Sequence, residues 1–249
     1  MPEEHAIQAA SFGLAASAYE RGRPGYPEAA LGWLLPAGAQ DIVDLGAGTG
    51  KLTRQLVNRG LRVVAVEPSD GMRAELAHVL PNVPALSGAA EQIPLADGSA
   101  DAVLVAQAWH WADPELALPE VFRVLRPGGR LGLLWNERDE SNDWVATLGQ
   151  LMRSLADDPT DMRVDLGQLF GPCERLIVPW RHRISPDGLR DLVASRSYVI
   201  TAPLAERSRV LREVDVLLTE HSDLAGRDQF ELPYRTTCFR ASSVAAALS

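Results

Sequence analysis

The chain has 249 residues, with 24 Lys and Arg against 33 Asp and Glu, so its formal net charge is −9. This acidic balance excludes a dedicated nucleic-acid or anionic-membrane binder, because such surfaces need clustered Lys and Arg. The two cysteines cannot build a disulfide framework, and no Cys/His spacing resembles a zinc site. No secretory signal or bilayer-length apolar run is evident. We therefore expect a cytoplasmic protein with no metal, no nucleic acid and no membrane among its partners.

The first 30 residues predict a helix followed by an irregular segment. The helix is expected over about Ser11–Glu20, because Pro24 and Pro27 exclude a continuous helix beyond it. Two Tyr and two Arg lie close together here. We expect this segment to close over a ligand, with Tyr19 packing on it and Arg23 pairing with a carboxylate.

Between residues 40 and 136, short β-branched runs alternate with helix-length segments. The runs are apolar on consecutive residues, which suits strands covered on both faces. Alternation of strand and helix is typical of right-handed βαβ units and a parallel sheet. The predicted strands are Asp41–Leu45, Arg62–Val66, Ala102–Val105 and Arg130–Trp135. The predicted helices are Lys51–Arg59, Gly71–His78 and Pro114–Leu125.

Residues 137–249 are less regular. The last predicted strand, about Phe230–Ala241, alternates in the way typical of an exposed or edge strand. No repeat, low-complexity tract or evident linker interrupts the chain, so the sequence predicts one domain. Its parts are an N-terminal lid (1–30), a cofactor-binding half (40–136) and a substrate-side half (137–249). The other elements expected in the last part are helices at about Asp143–Ala156, Pro186–Ser195 and Pro203–His221 and a strand at about Arg175–Ile184.

The most informative stretch is the glycine-dense turn Gly46–Gly50, directly after the first predicted strand. Glycines let the backbone approach a ligand closely, and the following helix offers unpaired N–H groups. In an open parallel sheet, ligands bind outside the carboxyl ends of the strands. Asp44 precedes the turn, where a carboxylate suits a cationic amino-acid end but repels a pyrophosphate. Glu67 ends the second strand, 21 residues after Gly46, and is well placed to bind ribose hydroxyls.

Two other nucleotide signatures are excluded by the residues around this turn. Lys51 stands where a G-x-G-x-x-G dinucleotide fingerprint needs Gly or Ala. Leu52 follows Gly50-Lys51, and Leu45 stands five residues before Gly50, so a nucleoside-triphosphate loop is absent from the sequence. An NAD-dependent oxidoreductase is therefore a weaker alternative, and no Tyr-x-x-x-Lys pair supports it.

Four stretches together resemble the motifs of class I S-adenosylmethionine-dependent methyltransferases. Residues 43–50 are similar to the first motif, and Glu67 is similar to the acid that ends the second strand. Residues 87–95 resemble the loop before the fourth strand, and residues 123–129 resemble the L-x-P-G-G turn before the fifth. The chain departs from the pattern at Ala89, where the family usually carries an adenine-contacting Asp. Residues 19–27 and 108–111 also resemble the small-molecule branch of methyltransferase type 11, which includes trans-aconitate methyltransferase-like proteins.

The resemblance implies S-adenosyl-L-methionine as the cofactor and a Rossmann-like α/β fold. The implied sheet is doubly wound and seven-stranded, mostly parallel, with the last strand antiparallel and inserted near the edge. A small helical cap over the acceptor site is expected from residues 143–156 and 186–221. At Ala89, adenine recognition is expected to rest on backbone groups and apolar packing. The expected cofactor-binding residues are Asp44, Gly46, Ala47, Gly48, Gly50, Glu67, Pro68, Ala89, Ala90, Glu91, Gln107, Tyr19 and Arg23.

Aromatic and polar residues follow the predicted strands Ala102–Val105 and Arg130–Trp135, at the ligand-facing edge. Trp109 and Trp111 flank His110, which we expect to act as a general base for a hydroxyl or thiol acceptor. Local packing of all three is an equal alternative. The expected acceptor side is completed by Trp135, Asn136 and Arg138. Arg138 suits a carboxylate, and a solvated charged loop is the alternative there.

The sequence therefore predicts methyl transfer to a small-molecule acceptor by in-line displacement. The cofactor itself activates the electrophile, so no catalytic triad or metal cluster is required. The main alternative is a protein that binds S-adenosylmethionine or S-adenosylhomocysteine without transferase activity. The net charge of −9 disfavours a nucleic-acid acceptor. A monomer or a homodimer is expected, since exposed edge strands allow pairing between copies.

Overall fold

A computed structural model describes residues 23–153 and 165–244, without the side chains of residues 153, 197 and 198. The helix expected at about Ser11–Glu20 and Tyr19 lie outside these residues. The chain divides into two compact units, which we describe separately. Among the described residues, the glycine-loop unit comprises 25–136, 165–178 and 236–244, and the helical unit comprises 23–24, 137–153 and 179–235. The prediction of a single domain stays a prediction.

Seven described strands form one sheet in the order β3-β2-β1-β4-β5-β7-β6. Strand β1 pairs in parallel with β2 and β4, β2 pairs in parallel with β3, and β4 pairs in parallel with β5. The strands are β1 Asp41–Leu45, β2 Arg62–Val66, β3 Ala85–Leu86, β4 Ala100–Ala106, β5 Leu125–Arg138, β6 Glu174–Ile184 and β7 Phe230–Ser242. The predicted Rossmann-like α/β class, mostly parallel with an antiparallel end, is confirmed.

The direction of β7 follows from hydrogen bonds at the two ends of β5. The amide of Ser243 donates to the carbonyl of Gly129 over 2.8 Å, and the hydroxyl of Thr236 donates to the side chain of Asn136 over 2.6 Å. Later residues of one strand thus meet earlier residues of the other, so β7 runs antiparallel to β5.

The described helices connect and cover the strands. Side chains cap the first turns of three of them: Ser69, Asp113 and Ser185 each accept a hydrogen bond from a backbone amide two or three residues on. The helices are α1 Glu28–Leu34, α2 Lys51–Asn58, α3 Asp70–Val79, α4 Pro114–Val124, α5 Asp143–Arg153, α6 Pro186–Ala194, α7 Ser197–Thr201 and α8 Leu204–Glu220. The helices and strands expected after residue 137 are confirmed, apart from the part of α5 expected beyond Arg153, which is outside the description.

Each unit has its own apolar core. In the glycine-loop unit, strands β1 and β4 are buried at consecutive residues, as Ile42 and Val43 show at 2% exposure each, and helices α1 and α2 pack on one face. In the helical unit, α5, α6 and α8 pack around Tyr234 and Phe230. The edge of Trp144 meets the ring of Phe230, with centroids 5.6 Å apart.

Two sequence expectations about strands were wrong. β7 is not an edge strand, because β5 and β6 lie on its two sides, and β6 forms the edge. The two-residue strand Ala85–Leu86 was not predicted, since Pro84 and its short length hide it. Within the described ranges, no helix is long and apolar enough to cross a membrane.

Candidate functional site

The glycine loop Gly46–Gly50 joins β1 to α2 at the carboxyl edge of the sheet. Gly46, Gly48 and Gly50 have φ angles of 71°, 57° and 89°, in the region that favours glycine. The amide of Gly46 donates to the carbonyl of Val66 over 2.8 Å, which fixes the loop against the end of β2. A Cβ at Gly46 would lie 2.7 Å from Cβ of Ala108. The loop therefore needs glycine both for its backbone angles and for its close approach to the β4 end.

Glu67 lies at the end of β2 and is 8% exposed. Its Oε2 accepts a 2.9 Å hydrogen bond from the amide of Gly48, and its Oε1 accepts one of 2.9 Å from the amide of Ser69. Burial raises the pKa of Glu67, and the two backbone hydrogen bonds oppose that rise. A carboxylate has further acceptor sites, so Glu67 can bind hydroxyl donors while it holds the glycine loop. Pro68 follows it on the surface.

Asp44 is fully buried next to the same loop. Its Oδ2 accepts a 2.5 Å hydrogen bond from the hydroxyl of Thr53, whereas its Oδ1 has no hydrogen-bond partner among the described residues. Burial raises the pKa of Asp44 to about 7. A buried acceptor without a donor is rare in folded proteins. Asp44 therefore suits a ligand that brings a hydrogen-bond donor, preferably a cationic one.

The loop before β4 contains a tight turn at Ala89–Gln92. The amide of Ala89 donates to the carbonyl of Gln92 over 3.4 Å, and the amide of Gln92 donates to the carbonyl of Ala89 over 3.1 Å. The carboxylate of Glu91 is engaged elsewhere, since its Oε1 accepts a 2.8 Å hydrogen bond from the amide of Asp113. Glu91 therefore anchors the turn to α4.

Gln107 follows β4 with a φ of 60°, the only positive value at a non-glycine residue in the described ranges. Its amide donates to the carbonyl of Leu134 over 2.9 Å, and its side-chain Nε2 donates to the carbonyl of Asn136 over 3.2 Å. Such backbone strain persists only where the surroundings impose it, and it is concentrated at functional sites. Gln107 thus joins the ends of β4 and β5 at the ligand-facing edge.

Trp109–Trp111 form a short 3₁₀ turn beyond Gln107. Trp109 is buried, whereas Trp111 is 42% exposed. The ring centroids of His110 and Trp111 are 4.8 Å apart. His110 is exposed along part of its surface, yet partial desolvation lowers its pKa. A lowered pKa keeps the imidazole neutral near pH 7, which is the form that accepts a proton.

The residues expected at the end of β5 are largely engaged within the protein. Trp135 is 5% exposed and packs edge-on against Phe239, with ring centroids 5.9 Å apart. The Nδ2 of Asn136 donates to the carbonyl of Gly25 over 2.9 Å, and its Oδ1 accepts the hydrogen bond from Thr236. Both polar ends of this amide therefore stabilise the fold.

Two further predicted residues lie in the helical unit. Nη2 of Arg138 is 4.0 Å from Oε1 of Glu140. Nη2 of Arg23 lies 3.5 Å from the carbonyl oxygen of Ser195.

Gln55 makes a long-range contact that the sequence did not reveal. Its Nε2 donates to the carbonyl of Tyr26 over 2.7 Å, and its Oε1 accepts from the amide of Tyr26 over 2.7 Å. This pairing holds the start of the described chain on α2, the helix that follows the glycine loop. No local pattern marks Gln55, because its partner lies 29 residues earlier in the chain.

A parallel sheet with a glycine loop after β1 and a buried acid at the end of β2 defines a Rossmann-type protein for a nucleoside-containing cofactor. The family described as "Methyltransferase domain" matches residues 43–133, which lie within the glycine-loop unit. An uncharacterized methyltransferase of Mycobacterium tuberculosis is 55% identical over 232 residues, which cover 93% of this chain and 95% of the relative.

Two other similarities have a narrower scope. A demethylmenaquinone methyltransferase of Beutenbergia cavernae is 42% identical over 91 residues, covering 36% of this chain and 38% of that protein. A solved structure from Anaeromyxobacter dehalogenans, named for a type II methyltransferase, has a TM-score of 0.66 at 24% identity and covers 89% of this chain and 97% of its own. That structural match concerns the fold alone. The chain belongs to the class I S-adenosylmethionine-dependent methyltransferases, and S-adenosylmethionine is its cofactor.

Proposed function

We propose that the protein methylates a small molecule and that the glycine-loop unit holds the cofactor through Asp44, Glu67 and the turn Ala89–Gln92. The observation that carries this assignment is the buried Oδ1 of Asp44, which has no partner among the described residues. The ammonium group of a methionine-type ligand supplies both the donor and the positive charge that this oxygen lacks.

The neighbouring residues fit the other parts of the same ligand. Glu67, held in place by Gly48 and Ser69, accepts hydrogen bonds from ribose hydroxyls. The backbone of Gly46, Ala47, Gly48 and Gly50 lets the ligand approach closely, with Pro68 and Gln107 beside it. Tyr19 and Arg23 stay predicted cofactor-binding residues.

The adenine ring is assigned to the turn Ala89–Gln92. Because position 89 carries a methyl group instead of a carboxylate, the turn recognises the ring by its backbone and by apolar contact. The amide of Ala89 is bonded to Gln92 within the turn. We therefore assign the donor to the amide of Ala90, for which the described residues offer no acceptor.

The cofactor supplies a methyl group that is already activated by its sulfonium. The protein orients the acceptor and excludes water. His110, neutral because of its lowered pKa, takes the proton that a hydroxyl or thiol acceptor loses. Trp109 and Trp111 shape the apolar surroundings of that proton transfer.

A small-molecule acceptor is supported by chemistry and by one relative. The net charge of −9 disfavours polyanionic acceptors. The relative from Beutenbergia cavernae is named for demethylmenaquinone, a small molecule, and matches this chain over 91 residues. Arg138 and Asn136 stay predicted acceptor-side residues. A cytoplasmic monomer or homodimer stays the expected form.

Calorimetric titration with S-adenosylmethionine, S-adenosylhomocysteine and NAD in parallel tests the cofactor. Binding of the two adenosyl-sulfur ligands alone is expected, and binding of NAD alone would overturn the proposal. Methyl transfer is then measured with methyl-labelled S-adenosylmethionine against small carboxylic acids and phenols. Tight cofactor binding with no transfer to any small molecule would favour a cofactor-binding protein without transferase activity.

A further inference from the structure

Arg123, in the last turn of α4, uses all five of its N–H donors. Nε and Nη2 donate to the two carboxylate oxygens of Glu120, each over 2.8 Å. Nη2 also donates to the carbonyl of Ile93 over 2.9 Å, and Nη1 donates to the carbonyl of Leu95 over 2.7 Å and to Asp97 over 2.8 Å. One helical side chain thus holds three successive points of the loop before β4.

Glu120 completes this clamp from the preceding turn of α4. Its Oε2 accepts a 2.9 Å hydrogen bond from the amide of Ile93, so both backbone polar groups of Ile93 are bound by the Glu120–Arg123 pair. The guanidinium of Arg123 lowers the pKa of Glu120 to about 2, which keeps the pair charged across the physiological range. Ile93 itself is 2% exposed, and its side chain fixes the loop from the inside.

A third attachment lies at the other end of the same helix. Glu91 accepts a hydrogen bond from the amide of Asp113, and Asp113 is the N-cap of α4. The ten residue steps from Asp113 to Arg123 span about 15 Å at 1.5 Å per step. The loop is therefore tied to both ends of α4, through Glu91 within the turn Ala89–Gln92 and through Ile93 directly after it.

This arrangement bears on recognition by the backbone. A carboxylate side chain can adjust its rotamer to meet a base, whereas a backbone amide moves only with its loop. A turn that binds through its main chain must be held in place before the ligand arrives, and such preorganisation lowers the cost of binding.

We infer that Glu120 and Arg123 are positioning residues for adenine: they hold the turn Ala89–Gln92 so that its backbone discriminates adenine from other bases. This inference rests on the proposed function, which assigns adenine to that turn. Neither residue touches the cofactor in this scheme. Both act through the loop that they tie to α4.

The test compares the affinities for S-adenosylhomocysteine and for its hypoxanthine analogue, S-inosylhomocysteine, by calorimetry. N1 of adenine accepts a hydrogen bond, whereas N1 of hypoxanthine carries a hydrogen, so only adenine accepts a hydrogen bond from a backbone amide at N1. The wild type is expected to prefer the adenosyl ligand. Arg123→Ala should weaken the binding of the adenosyl ligand roughly tenfold, or about 1.4 kcal/mol. It should change the affinity for the inosyl ligand little. Arg123→Lys keeps the charge but lacks the planar fork and should recover the preference only in part.

Arg126→Ala is the matched control. Arg126 lies three residues further on and pairs with Asp41 over 2.9 Å and with Asp101 over 2.5 Å, at the opposite edge of the sheet from the glycine loop. Its loss removes a comparable ion-pair network and should leave the adenosyl-to-inosyl preference unchanged.

The outcomes distinguish a failure of the proposed function from a failure of the positioning role. A wild type that binds neither ligand contradicts the proposed function, and one that binds both equally contradicts backbone recognition of adenine. A folded Arg123→Ala protein with the full wild-type preference overturns the positioning role alone. If Arg123→Ala does not fold, Glu120→Gln decides, because it keeps the side-chain shape. Its preference should fall about threefold, and an unchanged preference overturns the inference.

Discussion

Asp44 and Thr53 share a 2.5 Å hydrogen bond inside the glycine-loop unit. The bond joins β1 to the first turn of α2, so it spans the glycine loop from one flank to the other. The second oxygen of Asp44 has no partner among the described residues, and burial raises its pKa to about 7. The charge of Asp44 is thus poorly stabilised by the protein itself, and a cationic ligand group gains by binding beside it.

Asp44→Asn is expected to stabilise the ligand-free protein more at pH 8 than at pH 4. The carboxyl has a pKa of about 7 when folded and about 3.9 when unfolded. The unfolded state therefore loses its proton first, and the free energy of unfolding of the wild type falls as the pH rises from about 4 to about 7. The amide keeps an acceptor for Thr53 and does not ionise. Urea denaturation should show a gain on the order of 1–3 kcal/mol at pH 8. An equal effect at both pH values would show that Asp44 does not titrate in this range.

Glu67→Gln is expected to weaken S-adenosylhomocysteine by about 1.5–3 kcal/mol, the usual worth of a hydrogen bond to a charged group. In the wild type, the backbone amides of Gly48 and Ser69 both donate to the carboxylate of Glu67. The side-chain amide of Gln would turn its own N–H group toward one of these two donors. Calorimetry measures the change. Glu28→Gln, an exposed carboxylate paired with Arg59, is the control and should leave the affinity unaltered. Wild-type affinity in Glu67→Gln would remove Glu67 from the site.

His110→Ala is expected to slow methyl transfer roughly 10²-fold, the lower range for a general base, with almost unchanged cofactor affinity. In the wild type, kcat should rise with pH through a pKa below the ordinary value of about 6.5, because desolvation lowers the pKa of His110. Steady-state kinetics across pH 5–8, at a saturating level of an identified acceptor, measures both effects. His78→Ala, on the exposed end of α3, is the control. Full turnover without His110 would make it a packing residue.

Asn136→Ala is expected to lower stability more than it affects acceptor binding. It removes the hydrogen bond to the carbonyl of Gly25 and the one from the hydroxyl of Thr236, each worth about 0.5–1.5 kcal/mol. Denaturant titration measures the loss, and Asn136→Asp, which keeps the acceptor for Thr236, should lose less. Unchanged stability together with a raised KM for the acceptor would support direct substrate binding instead.

The first half of the fold was predictable because its signals are local. Each of these signals can be read from a few neighbouring residues: the consecutive apolar residues of β1, the glycines that follow, and Glu67 at the end of β2. The strands that pair with β7 cannot be predicted from local residues in this way. Its alternation resembled that of an exposed strand, yet β6 lies along its other side, and Thr236 and Thr237 are buried.

The strand ends that carry the predicted site residues were predictable from the sequence, but the contacts of those side chains were not. Asn136 lies at the expected edge of the sheet. Its Nδ2, however, donates a hydrogen bond to the carbonyl of Gly25, which lies 111 residues away in sequence. Trp135 was expected to face a substrate, and it packs on Phe239. The sequence predicts which strand or helix carries a residue. The residue that contacts its side chain belongs to a distant part of the chain and cannot be predicted from the local pattern.

The contact between Gly46 and Ala108, where a methyl group would lie only 2.7 Å from another, has a spectroscopic consequence. It leaves no gap between the glycine loop and the turn that carries two indoles, one shielded and one 42% exposed. If the glycine loop moves when the cofactor binds, the surroundings of those two indoles must therefore change. The protein contains its own optical probe at this point, and collisional quenching can distinguish Trp111 from the shielded Trp109.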